Sequence, residues 1–117
     1  MTTTGTLGNR AEKLALDYLR KQGLSLLEKN YRSRFGEIDL IMRQNDYLVF
    51  VEVRYRKSGD YGGALASIDQ RKQRKLRRTA ETYLQRHKAS DQACRFDILC
   101  LQGELDQAQI EWLENAF

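Results

Sequence analysis

Two stretches of the chain alternate between apolar and polar residues. Ile38, Leu40 and Met42 share one parity, and Tyr47, Val49, Val51, Val53 and Tyr55 share another. That is the period-two signature of half-buried strands over 37–43 and 47–55. Gln44-Asn45-Asp46 between them is polar and turn-prone. A tight turn centred on Asn45 and Asp46 pairs Ile38 with Val53, Leu40 with Val51 and Met42 with Val49 on one apolar face. The opposite face then pairs Asp39 with Glu52 and Glu37 with Arg54, because a slip of one residue would send every side chain to the wrong face.

On either side of the hairpin the pattern becomes helical. Ala11, Leu14, Ala15, Tyr18 and Leu19 recur at helical spacing from about Leu7 to Gln22, with Gly23 as the stop. Leu24 to Arg32 holds a short apolar run and reads as a strand leading through Asn30-Tyr31 into the hairpin. Lys57 to Ala66 carries Gly59, Gly62 and Gly63, the pattern of a mobile connection beside the Asp39/Glu52 face that closes over a ligand. A second helix runs from an N-cap at Ser67 or Asp69 to His87, and Cys94 to Leu101 reads as a buried strand. The tail Ile110-Glu111-Trp112-Leu113 is apolar enough to dock, but its pattern selects neither helix nor strand. The order helix, strands, helix, strand predicts an α/β sandwich around one mixed sheet.

Length adds that 117 residues suffice for one core, so residues 1–117 are expected to form a single domain. Cys94 and Cys100 are separated by an even number of residues in a strand-like run, which favours reduced packing residues over a disulfide. The start, Met1-Thr2-Thr3-Thr4-Gly5-Thr6, has neither a basic nor an apolar region of a signal peptide, and no segment approaches the roughly 18 apolar residues of a membrane span. A cytoplasmic protein with no membrane contact is expected.

Charge matters through its placement. Lys and Arg number 20 against 16 Asp and Glu, a net +4, and much of the basic excess is concentrated between residues 71 and 78. Arg71, Arg74, Lys75 and Arg78 follow i, i+3, i+4, i+7 spacing and form one stripe, opposite Leu76, Ala80, Tyr83 and Leu84. Cations in the first turns of a helix oppose its dipole and repel one another, so a polyanion is one reason for the stripe and an ordinary solvated face is the other. Lys72 borders the packed face, either to reach the hairpin or to lay its stem along apolar surface.

The acids pose the complementary question. Like charges directly opposite destabilise a sheet, and a hard divalent cation between Asp39 and Glu52 would supply a reason for the pair. A solvated strand face, with Glu37 and Arg54 as an exposed ion pair, is the alternative. Glu12 falls inside the apolar arc of the first helix, between Leu16 and Leu19. Either it closes a capping box, Asn9-Arg10-Ala11-Glu12, or it adds a third carboxylate to the metal site.

On these residues the chain resembles the UPF0102 family, also called the YraN family, which is itself similar to the Holliday-junction-resolvase branch of the PD-(D/E)XK nuclease-like fold. Gly8, Ala11-Glu12, Tyr18-Leu19, Asn30-Tyr31-Arg32, Gly36-Glu37-Ile38-Asp39-Leu40-Ile41 and Val49-Phe50-Val51-Glu52-Val53-Arg54 carry the first part. Lys72-Gln73, Ala80, Tyr83-Leu84 and Arg95-Phe96-Asp97 carry the rest. The resemblance implies a restriction-endonuclease-like αβββαβ core with a mixed sheet flanked by helices. It also implies Asp39 and Glu52 as metal ligands, Glu12 as an added acid, and the residue two after Glu52 as the catalytic cation. The wider nuclease signature has lysine there, whereas this chain has Arg54. A buried lysine can lose its proton and act as a base, but arginine stays charged and suits holding a phosphate.

The expectation is therefore a metal-dependent endonuclease-like protein that hydrolyses phosphodiesters in branched or structured DNA with Mg²⁺ or Mn²⁺. Glu12, Asp39, Glu52, Arg54 and Lys72 would form its site, with Arg71, Arg74, Lys75 and Arg78 on the nucleic acid. Two alternatives stand beside it: a non-catalytic nucleic-acid binder, and a protein-interaction module whose stripe meets an acidic partner. The resemblance also leaves room for a homodimer, because resolvase-like folds often pair to engage symmetric junctions.

Overall fold

A computed structural model describes residues 3–57 and 68–117, with backbone alone for residues 3–7. The expected mobile connection therefore lies, apart from Lys57, outside the described residues, as does Ser67. The elements are helix α1 (Thr3–Lys21), strands β1 (Ser25–Ser33), β2 (Gly36–Gln44) and β3 (Tyr47–Arg56), helix α2 (Gln70–Arg86), strand β4 (Cys94–Gln102), a 3₁₀ turn (Leu105–Gln107) and strand β5 (Gln109–Leu113). The expected αβββαβ core is present, and the tail supplies a fifth strand. No helix among the described residues is long and apolar enough to cross a membrane.

The five strands form one sheet in the order β1-β2-β3-β4-β5. Only β3 and β4 run parallel; the other neighbours are antiparallel. A parallel pair needs a long crossover, and α2 lies in it. Its buried Leu76, Ala80 and Tyr83 pack with Ile41, Phe50 and Ile98 on one face of the sheet. Ala11, Ala15, Leu16 and Leu19 of α1 pack with Leu40, Val49, Val51 and Leu99 on the other. The sheet is thus sealed on both sides by two separate cores.

Both helices end where local chemistry dictates. Gly23 takes the left-handed conformation (φ 99°), Gly23 N–H donates to Arg20 O, and Leu24 N–H reaches back to Leu19 O. That is the Schellman arrangement, and it buries Leu24 in the α1-side core. Asp69 caps α2 by accepting from Lys72 N–H at 2.9 Å. Asn9 and Glu12 lie inside α1 rather than at its start, so the capping box does not form.

The hairpin register holds for half its length. Gln44 faces Tyr47, Met42 faces Val49 and Leu40 faces Val51, with Asn45 left-handed (φ 54°) in the two-residue turn. Past Leu40/Val51 the ladder stops, and the expected Ile38/Val53, Asp39/Glu52 and Glu37/Arg54 rungs do not form. Val53 N–H donates instead to Asp39 Oδ2 at 2.9 Å, so a side chain takes the place of a backbone partner. From there β2 stays with β1 through Ser33/Gly36, while β3 stays with β4 through Arg56/Gln102.

The face pattern breaks at the same point. Leu40 belongs to the α1-side core and Ile38 to the α2-side core, although they are two residues apart. On β1, Lys29 pairs with Leu40 and Tyr31 with Ile38, so the same change of face falls at the residue between them, Asn30, which is left-handed (φ 53°). Val53 packs on the α1 side, so Ile38 and Val53 lie on opposite faces of the sheet and not on the one apolar face that their parity predicts.

Candidate functional site

The parted strands leave a cleft of about 670 Å³, lined by residues that include Glu12, Glu37, Asp39, Glu52, Arg54 and Lys72. All five residues expected to form the site therefore border one space, and four elements bring them there. β2 supplies Asp39, β3 supplies Glu52 and Arg54 on one face by period-two alternation, α1 brings Glu12, and α2 brings Lys72.

Glu52 is the most enclosed charge of the cleft, only 7% exposed. Its Oε2 lies 3.0 Å from Lys72 Nζ and 3.4 Å from Arg54 Nη2. Two cations from different elements thus converge on one carboxylate oxygen. Lys72 reaches it because Asp69 fixes the first turn of α2 and directs residue 72 along the edge of the packed face. Arg54 pairs with Glu52 rather than with Glu37, which instead meets Arg32 at 3.5 Å on the β1/β2 surface. Arg54 Nε is buried without a hydrogen-bond partner among the described residues, and an unmatched buried donor of this kind is expensive unless a ligand oxygen fills it.

Asp39 is under the opposite pressure. Burial first, then the Glu52 charge, push its carboxyl from 3.8 up to about 8, with a shared hydrogen bond to Glu52 and the Glu12 charge acting in the same direction. The Val53 N–H works against this by stabilising the anion. Burial likewise raises Glu12, reinforced by Glu37 and Glu52 and opposed by an Asn30 hydrogen bond and Lys29. Four carboxyls, Glu12, Glu37, Asp39 and Glu52, therefore act on one another across the cleft, and Asp39 carries most of the strain.

A metal can be tested against this donor set. Asp39 and Glu52 offer hard oxygen atoms in a shared, partly dry position, and the raised Asp39 carboxyl marks a place where positive charge is missing. Mg²⁺ takes one or two carboxylates and completes its shell with water and phosphate oxygens, so the pair fits. Among the described residues no three His, Cys, Asp or Glu side chains are grouped as ligands of a single ion. Glu12 stands beside the pair, felt through its charge.

The expected basic stripe is arranged as its spacing required: Arg71, Arg74, Lys75 and Arg78 lie on the outer side of α2, away from its buried Leu76, Ala80 and Tyr83. Three features escaped the sequence reading. Glu37 borders the cleft, Asp97 is a buried structural anchor on β4, and the β1/β2 turn residues Arg34 and Phe35 reach Arg78 of α2. Only Asp97 had a local signal, an acid inside an otherwise apolar strand.

Taken together, fold and site define a mixed-sheet α/β fold with an acidic cleft where two central strands separate. The chain belongs to the UPF0102 family: the model described as "Uncharacterised protein family UPF0102" matches residues 11–101. It is 53% identical over 117 residues to a UPF0102 protein of Nitrosomonas europaea, covering 100% of this chain and 98% of that one. A UPF0102 protein of Alkalilimnicola ehrlichii is 55% identical over 111 residues, covering 94% and 85% of the two chains. One from Shewanella oneidensis is 47% identical over 112 residues, covering 96% and 99%.

Proposed function

We propose that this protein is a PD-(D/E)XK-like, metal-dependent nuclease acting on branched or otherwise structured DNA in the cytoplasm. The observation that carries the reading is the convergence of Asp39, Glu52, Arg54 and Lys72 at the point where β2 and β3 part. Asp39 and Glu52 would hold Mg²⁺ or Mn²⁺. When bound, the ion supplies an activated water and neutralises charge on the phosphodiester.

The chain's own residues account for the other needs of hydrolysis. Arg54, with its Nε unmatched, holds a non-bridging phosphate oxygen and stabilises charge that builds in the transition state. Lys72 brings to Glu52, from a helix, the amine that the nuclease signature places on the strand. Glu12 adds a negative wall that favours a cation and orients water. The stripe of Arg71, Arg74, Lys75 and Arg78 supplies sequence-independent phosphate contacts beyond the cleft.

The test is incubation of purified protein with branched, flapped and single-stranded DNA in Mg²⁺ or Mn²⁺, alongside Asp39→Ala. Cleavage that disappears in the variant is expected; cleavage that survives it would sink the assignment. Salt-sensitive binding without cleavage would select a second reading, a non-catalytic binder, favoured by Arg54 standing where the signature has lysine.

A further inference from the structure

We infer that the β1/β2 turn and the outer half of α2 form a second nucleic-acid subsite, a clamp for the sugar–phosphate backbone beyond the cleft. The inference rests on the proposed nucleic-acid binding and adds residues outside the helix stripe. Arg34 and Arg78 both lie over the ring of Phe35, their guanidinium carbons 4.9 Å and 5.4 Å from its centroid. One arginine comes from the turn and the other from the helix, so the ring fixes their relative positions. Arg86 lies 5.8 Å from the centre of Tyr31 at the far end.

These groups border a hollow of about 540 Å³ whose lining includes three arginines and one acid, Glu81. Among the described residues none of the three arginines is in an ion pair. Unneutralised guanidiniums gathered around a concavity repel one another, and a phosphate group offers bidentate acceptors that relieve this. The aromatic ring meanwhile limits the freedom each arginine loses on binding.

The support is rigid. Ser33 Oγ donates to Thr79 Oγ1 at 3.1 Å, and Tyr31 and Thr82 share a hydroxyl hydrogen bond of 2.9 Å. The end of β1 is therefore tied to the helix by two hydroxyl hydrogen bonds one turn of α2 apart. At 1.5 Å per residue, Arg78 stands about 9 Å along α2 from Lys72 at the cleft, and Arg86 about 21 Å. With about 3.4 Å of axial rise per nucleotide in a duplex strand, the first interval corresponds to roughly three nucleotides. A strand whose phosphate lies in the cleft thus has its backbone within reach of the Arg34/Arg78 pair.

The experiment compares wild type, R34A/R78A, F35L and R71A/R74A for binding of fluorescent single-stranded and duplex oligonucleotides across a salt series. R34A/R78A should weaken binding about 10–100-fold and lower the slope of log K against log salt by about 2, one for each phosphate no longer neutralised. F35L should keep the slope and weaken binding less, because the charges remain while their platform is removed. A melting curve confirms that the variants fold. If R34A/R78A keeps wild-type affinity and slope while R71A/R74A loses both, the clamp is refuted and the nucleic-acid reading stands. If the wild type binds no oligonucleotide at low salt, both fall.

Discussion

Replacing Asp39 with asparagine should stabilise the metal-free protein at neutral and alkaline pH. The carboxyl is raised from 3.8 to about 8, chiefly by burial and next by Glu52. A raised acid favours the folded state fully below its unfolded value and withdraws that support as pH climbs through its folded value. Wild-type stability should therefore fall between about pH 4 and pH 8. At about 1.4 kcal/mol per pH unit, the interval is an upper bound of roughly 6 kcal/mol above pH 8, and roughly 4 kcal/mol at pH 7. Asparagine keeps an acceptor for Val53 N–H and removes the charge, but a buried amide retains part of the desolvation penalty, so a gain of about 2–3 kcal/mol is expected. For a domain of this size that raises Tm by about 10 °C. Melting curves of both proteins from pH 4 to 9 in EDTA measure it directly. The curves should meet near pH 4 and separate above it. Parallel curves, or an Asp39→Asn variant less stable at pH 8, would refute the claim that Asp39 is a partly buried acid lacking a counter-charge.

The same site predicts that Mg²⁺ binding releases protons near pH 7, so apparent affinity should rise from pH 6 to 8. Calorimetry in two buffers of different ionisation heat should give different apparent enthalpies, and equal values would contradict it. If Lys72 supplies the signature's amine and Arg54 holds the phosphate, Lys72→Ala should lower cleavage by about 10²–10³-fold and Arg54→Lys by only about tenfold; single-turnover rates in the reverse order would return the signature role to the strand. Asp97→Asn should cost about 2–3 kcal/mol, because the fully buried carboxylate accepts from Arg95 Nε, Trp112 Nε1 and Asn115 N–H at 2.9–3.0 Å and its loss leaves Arg95 only the exposed Glu114 at 3.3 Å as a counter-charge. A urea midpoint within error of wild type would show that the network contributes nothing.

Sequence periodicity read the helices, the hairpin turn and the sheet faces near that turn because those features depend on local alternation. Val49, Val51, Leu40 and Met42 meet as their parity requires. It failed at Ile38 and Val53, where Asp39 captures a backbone donor and Asn30 turns left-handed. Neither event leaves a mark on hydrophobic spacing. Asp39 and Glu52 were legible because like charges in a strand pair are conspicuous, and Glu12 and Lys72 because each interrupts the pattern of a helical face. Strand β5 was obscure since its anchor, Trp112 on Asp97, joins residues 15 apart. The Arg34/Phe35/Arg78 cluster was invisible for the same reason on a larger scale: it exists only once a turn lies on a helix.

The change of face at Asp39 gives that residue an unusual mechanical position. Its neighbour on one side is gripped by the core under α2 and its neighbour on the other by the core under α1. Asp39 is a fulcrum between two bodies that otherwise share only the sheet. Trimming Ile38 to valine or Leu40 to valine, the two chain neighbours of Asp39 on opposite faces of the sheet, should therefore shift the same quantity, the spacing of Asp39 from Glu52. Divalent-metal affinity becomes a gauge of packing on both faces of the protein at once.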